Sequence, residues 1–139
     1  MKNFLYLLLS FFAISCSTSK SLNFESSLIS IIKSEEFTKN YRLCEKKTDT
    51  ILIYNNLDSK IEKKFSNIDC GKTIMIENNG FPIDMNKHVK FDDQKIILYK
   101  LEIVGKKRIF TFLNNHSNMN LKISINHRNV IKLVERGFF

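Results

Sequence analysis

Few side chains in this 139-residue sequence could do chemistry, and they are poorly grouped. His88, His116 and His127 have no metal-ligand spacing among themselves, so polar positions near turns are the simplest reading and no metal is expected. Ser30-Ile31-Ile32-Lys33 has the S-x-x-K spacing that sets a lysine one helical turn from a nucleophilic serine, but its S-D-N and K-T-G companions are missing. Gly71-Lys72-Thr73 has the tail of a phosphate-binding loop, yet Ser66 stands where the first glycine should be. Asp92 and Asp93 are adjacent carboxylates on a turn, which point apart more readily than they share a proton. No Ser/His/Asp or Cys/His set can be assembled. An enzyme is therefore not expected, and no cofactor is implied.

The cysteines carry more. Cys16 ends the run MKNFLYLLLSFFAISC. Lys2 makes the start positive, and residues 4–14 are apolar apart from Ser10. As a helix that stretch is about 16 Å long at 1.5 Å per residue, too short for a bilayer core of about 30 Å. Charge, short apolar run and small residues before a cut site make a secretory signal. Ala13-Ile14-Ser15-Cys16 resembles the lipobox of bacterial lipoproteins, with Ala13 where that family prefers Leu. The resemblance implies cleavage before Cys16, a diacylglycerol on its sulfur and usually an acyl group on the new amine. It also implies a place in the cell envelope. Ser17, rather than the Asp associated with inner-membrane retention, points to the outer membrane on its periplasmic or surface face. Plain secretion is the other reading, because Ala13-x-Ser15 also fits ordinary signal cleavage. Several acyl chains anchor firmly without help from the domain. The expected division is a signal peptide at 1–15, the lipidated cysteine and a polar tether at 16–22, and one domain at 23–139.

Lipidation of Cys16 would leave Cys44 and Cys70. In an oxidising compartment an even pair is expected to form a disulfide, closing a loop of about 27 residues; two separate buried thiols are the rival. The formal charge is +8, from 22 Lys+Arg against 14 Asp+Glu. Lysines outnumber arginines 18 to 4, which does not favour base or phosphate readers built on bidentate Arg, so nucleic acid is not an expected partner. The excess reads as a solvated surface. Its functional alternative is a basic face toward anionic lipid or glycan head groups, densest at Lys60, Lys63, Lys64 and at Lys106, Lys107, Arg108.

The elements that must position these residues follow from periodicity. Asn23 is a candidate N-cap, and Phe24, Leu28, Ile31 and Ile32 fall on one face of a helix running to about Asn40, with Ser27 off that face. Ser59-x-x-Glu62 and the four-residue spacing of Leu57, Ile61 and Phe65 predict a second short helix. Elsewhere the period is two. Strands are expected around 51–54, 73–77, 89–91, 95–104, 108–113, 121–125 and 130–135, with turns at Asn78-Asn79-Gly80, Asp92-Asp93, Gly105-Lys106 and 126–129. Ile97, Tyr99, Leu101 and Ile103 should share one strand face, and Tyr99, Phe110 and Phe112 read as core. Short turns between neighbours make an antiparallel meander.

The fold class expected is α+β, an N-terminal helix packed on a curved antiparallel sheet, with a small β-barrel as the alternative. The element order loosely resembles cystatin-like and nuclear-transport-factor-2-like folds. The function expected is a lipid-anchored, non-catalytic binding or structural module of the envelope, such as an inhibitor or immunity-type protein, with an unidentified protein or envelope component as partner. A carrier of a hydrophobic small molecule in a β-cavity and a small hydrolase are the alternatives. Phe138-Phe139 would either tuck against the helix or form a contact patch.

Overall fold

A computed structural model describes residues 23–62, 65–78, 95–114 and 117–138. The leader, Cys16, Lys63, Lys64, His88, His116, Phe139 and the turns proposed at 78–80 and 92–93 lie wholly or partly outside them. Two helices, α1 (Phe24–Lys33) and α2 (Glu35–Asn40), and one 3-10 turn (Leu43–Glu45) precede seven strands. These are β1 (Thr50–Asn55), β2 (Phe65–Asn67), β3 (Thr73–Glu77), β4 (Lys95–Val104), β5 (Lys107–Asn114), β6 (Met119–Asn126) and β7 (Ile131–Phe138). They form one open sheet in the order β2-β3-β1-β4-β5-β6-β7, so the architecture is α+β and the sheet is not closed into a barrel.

Helix α1 forms as its pattern dictates. The Asn23 carboxamide oxygen accepts from the Glu25 N–H at 3.2 Å, and Leu28, Ile31 and Ile32 are buried. Ser27 is buried with them, three residues after Phe24 on the same face, and its hydroxyl accepts from the Arg108 guanidinium at 3.2 Å. The helix does not run unbroken to Asn40. Ser34 sits in extended backbone (φ −68°, ψ 152°), ends α1 and caps α2 by accepting from the Phe37 N–H at 3.3 Å. Glu35 and Glu36 then occupy the first turn of α2, where the dipole favours acids. The break re-aims the chain so that Phe37 reaches Phe112 edge-on at 4.8 Å, while Phe24 stacks on Phe110 at 5.8 Å.

From β4 to β7 the sheet is the expected antiparallel meander. Gly105 opens its first hairpin at φ +59° while Lys106 avoids positive φ, the sign pattern of a type II′ turn. The other half departs from expectation, because β1 pairs in parallel with both β3 and β4 and only β2 returns antiparallel, so the sheet is mixed. Strand β1 lies between two parallel partners, and its apolar run Ile51-Leu52-Ile53-Tyr54 alternates buried Ile51 and Ile53 with half-buried Leu52 and Tyr54. In β4 a bulge between Leu98 and Lys100 shifts the alternation. Ile96 and Leu98 join the core and Leu101 packs against it, whereas Tyr99 is 49% exposed rather than core.

The helix expected around 57–65 is not formed. Residues 56–62 are irregular and Phe65 begins β2. Two asparagines, at the end of β1 and just past β3, take over the backbone groups that a helix would have paired. Asn55, 1% exposed, donates its side-chain N–H to the Ser59 carbonyl at 2.7 Å and to the Asn78 side-chain oxygen at 3.0 Å, and accepts from the Leu57 N–H at 3.1 Å. Asn78 accepts from the Ile61 N–H at 2.7 Å and donates to the Ile61 carbonyl. Side-chain bonds of this kind compete directly with helix formation. Asn55→Ala removes three of them from a buried site and should cost about 2–3 kcal/mol, seen as a lower urea midpoint at unchanged slope. A loss well under 1 kcal/mol would mean that these bonds do not hold the loop.

Candidate functional site

Cys44 and Cys70 form a disulfide, with Cα atoms 5.7 Å apart. It ties the 3-10 turn after α2 to the turn between β2 and β3. Lys72 reinforces the same junction. Its side chain is 7% exposed, and its ammonium donates to the Lys46 carbonyl and, at 2.7 Å, to the Thr48 carbonyl. Gly71 at φ +77° makes the tight turn that brings it there, and the Thr73 N–H is bonded to the Asp49 carbonyl at 2.9 Å. The Gly71-Lys72-Thr73 motif therefore holds two chain segments together. Ser30 is also engaged locally, its hydroxyl donating to the Ser26 carbonyl at 2.9 Å.

Of the expected basic patch, Lys63 and Lys64 lie outside the described residues. Lys60 is exposed in the irregular loop, and Lys106 and Lys107 are exposed at the β4–β5 hairpin. Arg108 leaves that group: strand alternation turns it to the helix side, onto Ser27. His127 is exposed in the β6–β7 turn. Among the described residues no cluster of three or more His, Cys, Asp or Glu could hold a metal ion.

What the fold does assemble is a cleft of about 400 Å³ on the helix side of the sheet. One wall is the end of α2 and the 3-10 turn, with Tyr41, Arg42, Glu45 and Lys46. The other is the sheet end where Asn114 of β5 pairs with Met119 of β6 and Met119 pairs with Phe138 of β7. Arg136, two residues before Phe138, lies on the same strand face and holds its guanidinium 5.6 Å from the Phe138 ring centroid. Among the described residues, three cations and one carboxylate line the cleft. Glu45 is committed to Arg42, accepting from its Nε at 2.7 Å and contacting Nη2. Arg136 has no carboxylate partner among the described residues.

Two features of this wall are energetically uneconomical. Arg42 sits at φ 51° just past the end of α2, where glycine or asparagine is the usual solution; a residue with a Cβ costs about 1–2 kcal/mol there. Tyr41 is 4% exposed, packs edge-on to Phe37 at 5.0 Å, and its buried hydroxyl finds no hydrogen-bond partner. Burial pushes its phenol far above the ordinary tyrosine range, so the group stays a protonated donor. An orphaned buried donor costs about 1–3 kcal/mol.

Of these cleft residues the sequence singled out only Phe138. They come from four separated segments, and only the strand-mate spacing of Arg136 and Phe138 beside the noted C-terminal aromatics hinted at a shared face. No protein-family model, curated protein or solved structure matches the chain.

Proposed function

We propose that this protein is a lipid-anchored component of a bacterial cell envelope, held by Cys16 and facing the periplasm or the cell surface at the outer membrane. It works there as a non-catalytic binding module, of which an inhibitor or immunity-type protein is one form. The anchor rests on the leader and its lipobox-like tetrapeptide. The Cys44–Cys70 disulfide supports passage through an oxidising compartment. No helix among the described residues is long and apolar enough to cross a membrane.

The observation that carries the binding reading is strand β7. It is an edge strand of eight residues, and Leu133, Val134 and Phe138 are exposed on it, with Val130 exposed just before it. Edge strands with exposed apolar side chains are surfaces that partners extend or cover. The carrier alternative has no such observation in its favour: the helix side of the sheet is filled by Leu28, Ile31, Ile32 and Phe37, and the cleft beside them is lined with charge.

The test is site-specific photo-crosslinking in intact cells from positions 133 and 138, with position 33 on α1 as the control. A discrete adduct from the β7 positions and none from position 33 is the expected outcome. Absence of adducts at all three, or the same smear from each, would contradict the binding reading.

A further inference from the structure

We infer that the domain docks on an anionic lipid surface through one end of its sheet, the tips of the β4–β5 and β6–β7 hairpins. The inference rests on the Cys16 anchor proposed above and adds which end of the domain meets the membrane. Both tips lie at the same end, because Val104 pairs with Lys107, Lys107 with Asn126 and Ile125 with Ile131. They are about two strand spacings apart, roughly 10 Å. Ile103, Val104 and Val130 are exposed there, a grouping of large aliphatic side chains that marks a contact surface. Lys106, Lys107 and Arg128 are exposed among them. Neither segment 103–108 nor segment 126–131 contains an acidic residue. Glu102, just before the first tip, accepts from the Lys100 ammonium at 2.9 Å. Aliphatic side chains flanked by cations match a leaflet whose acyl chains lie beneath anionic head groups.

The chain enters the domain toward the same end. The Phe24 ring stacks on Phe110 and the Ser27 hydroxyl accepts from Arg108, so α1 begins over the half of β5 next to its first hairpin. Phe37 follows on Phe112, and the end of α2 faces Asn114 and Met119 at the opposite end. The helical layer therefore runs away from the tips, and Asn23 lies on their side. From Cys16 to Asn23 the chain spans at most about 25 Å when fully extended. The two ends of the meander are themselves about 24 Å apart along β5. A leash of this length, attached on the tip side, keeps the tips within reach of the head groups and brings the Phe138 end there only when drawn out. Because the leash makes docking intramolecular, a few weak contacts are enough to set the orientation.

The sequence contains no tryptophan, so one substitution makes a unique reporter. The full lipidated protein carrying Ile103→Trp, or Val130→Trp should the first not fold, is reconstituted into vesicles of brominated phosphatidylcholine with and without phosphatidylglycerol. Phe138→Trp is the control, since position 138 is as exposed as position 103 (71% against 70%) but lies at the other end of the sheet. Flotation of each sample reports the anchor, and quenching of the tryptophan by the bromines reports docking. Quenching at position 103 that needs phosphatidylglycerol, with position 138 left bright, is the expected result. Changing Lys106 and Lys107 together to Gln in the reporter protein should lower the ratio of quenched to unquenched tryptophan roughly ten- to thirtyfold, the combined effect of two lysines near an anionic surface. High salt should lower it in the same direction while the protein still floats. A protein that floats with position 103 unquenched, or with positions 103 and 138 quenched alike, overturns the docking and leaves the anchor standing. Quenching at 103 that neither phosphatidylglycerol nor the lysine changes alter overturns it too. A protein that does not float removes the anchor and the inference with it.

Discussion

Replacing Cys44 and Cys70 together by serine should lower stability by about 3–4 kcal/mol, the chain-entropy value for a loop of this length. The two residues are 26 apart in sequence and join segments that have no strand pairing with each other. Without the bridge, the junction keeps the Lys72 ammonium on the Lys46 and Thr48 carbonyls, the Thr73–Asp49 bond and the β1–β3 pairing that begins at Thr50 and Thr73. Domains of ordinary size have about 5–15 kcal/mol in total, so the loss is a large share. It is read from urea unfolding of the wild type with and without reductant, beside the double variant. Reduced wild type and the variant should coincide, both well below the oxidised protein. Coincidence of all three unfolding curves would show that the disulfide does not constrain this fold.

The other large effect is in the aromatic core. Phe112 is fully buried on β5, edge-on to Phe37 at 4.8 Å and stacked toward Phe110 at 6.4 Å. Truncation to alanine removes the ring and leaves a cavity that two helices and a sheet cannot collapse into, costing about 3–5 kcal/mol. Phe138 makes the contrast. It is 71% exposed, and its truncation should change stability by no more than about 0.5 kcal/mol. Equal destabilisation by Phe112→Ala and Phe138→Ala would contradict the placement of the core on the helix side.

Local chemistry was legible, and long-range arrangement was not. The Asn23 cap, the α1 stripe, the Gly105 turn and the β4-to-β7 alternation each depend on neighbours within a few residues, so their signals lie in short windows. The break at Ser34 was also written locally, as a serine followed by Glu35 and Glu36, but the apolar period runs across it and masks it. The parallel pairing of β1 is different. Its mark is a strand with no polar face, Ile51-Leu52-Ile53-Tyr54, which reads as easily as one half of a hairpin until the partners are known. Leu57, Ile61 and Phe65 had helical spacing, yet Asn78, seventeen residues after Ile61, decides that segment through its side chain. The cleft lies furthest from the sequence, because Tyr41 and Arg136 meet only after α2 and the last strand are both in place.

The central claim, that this protein is fastened to an envelope through Cys16, is tested most directly at that residue. Trypsin cuts after Lys2 and Lys20, so the N-terminal peptide of protein taken from its native membranes reports its own processing. The account predicts a peptide of residues 16–20 beginning at Cys16 and heavier by a thioether-linked diacylglycerol, with or without an acyl group on its amine. An unmodified peptide spanning residues 3–20, or one starting at Cys16 with a free thiol, would contradict it.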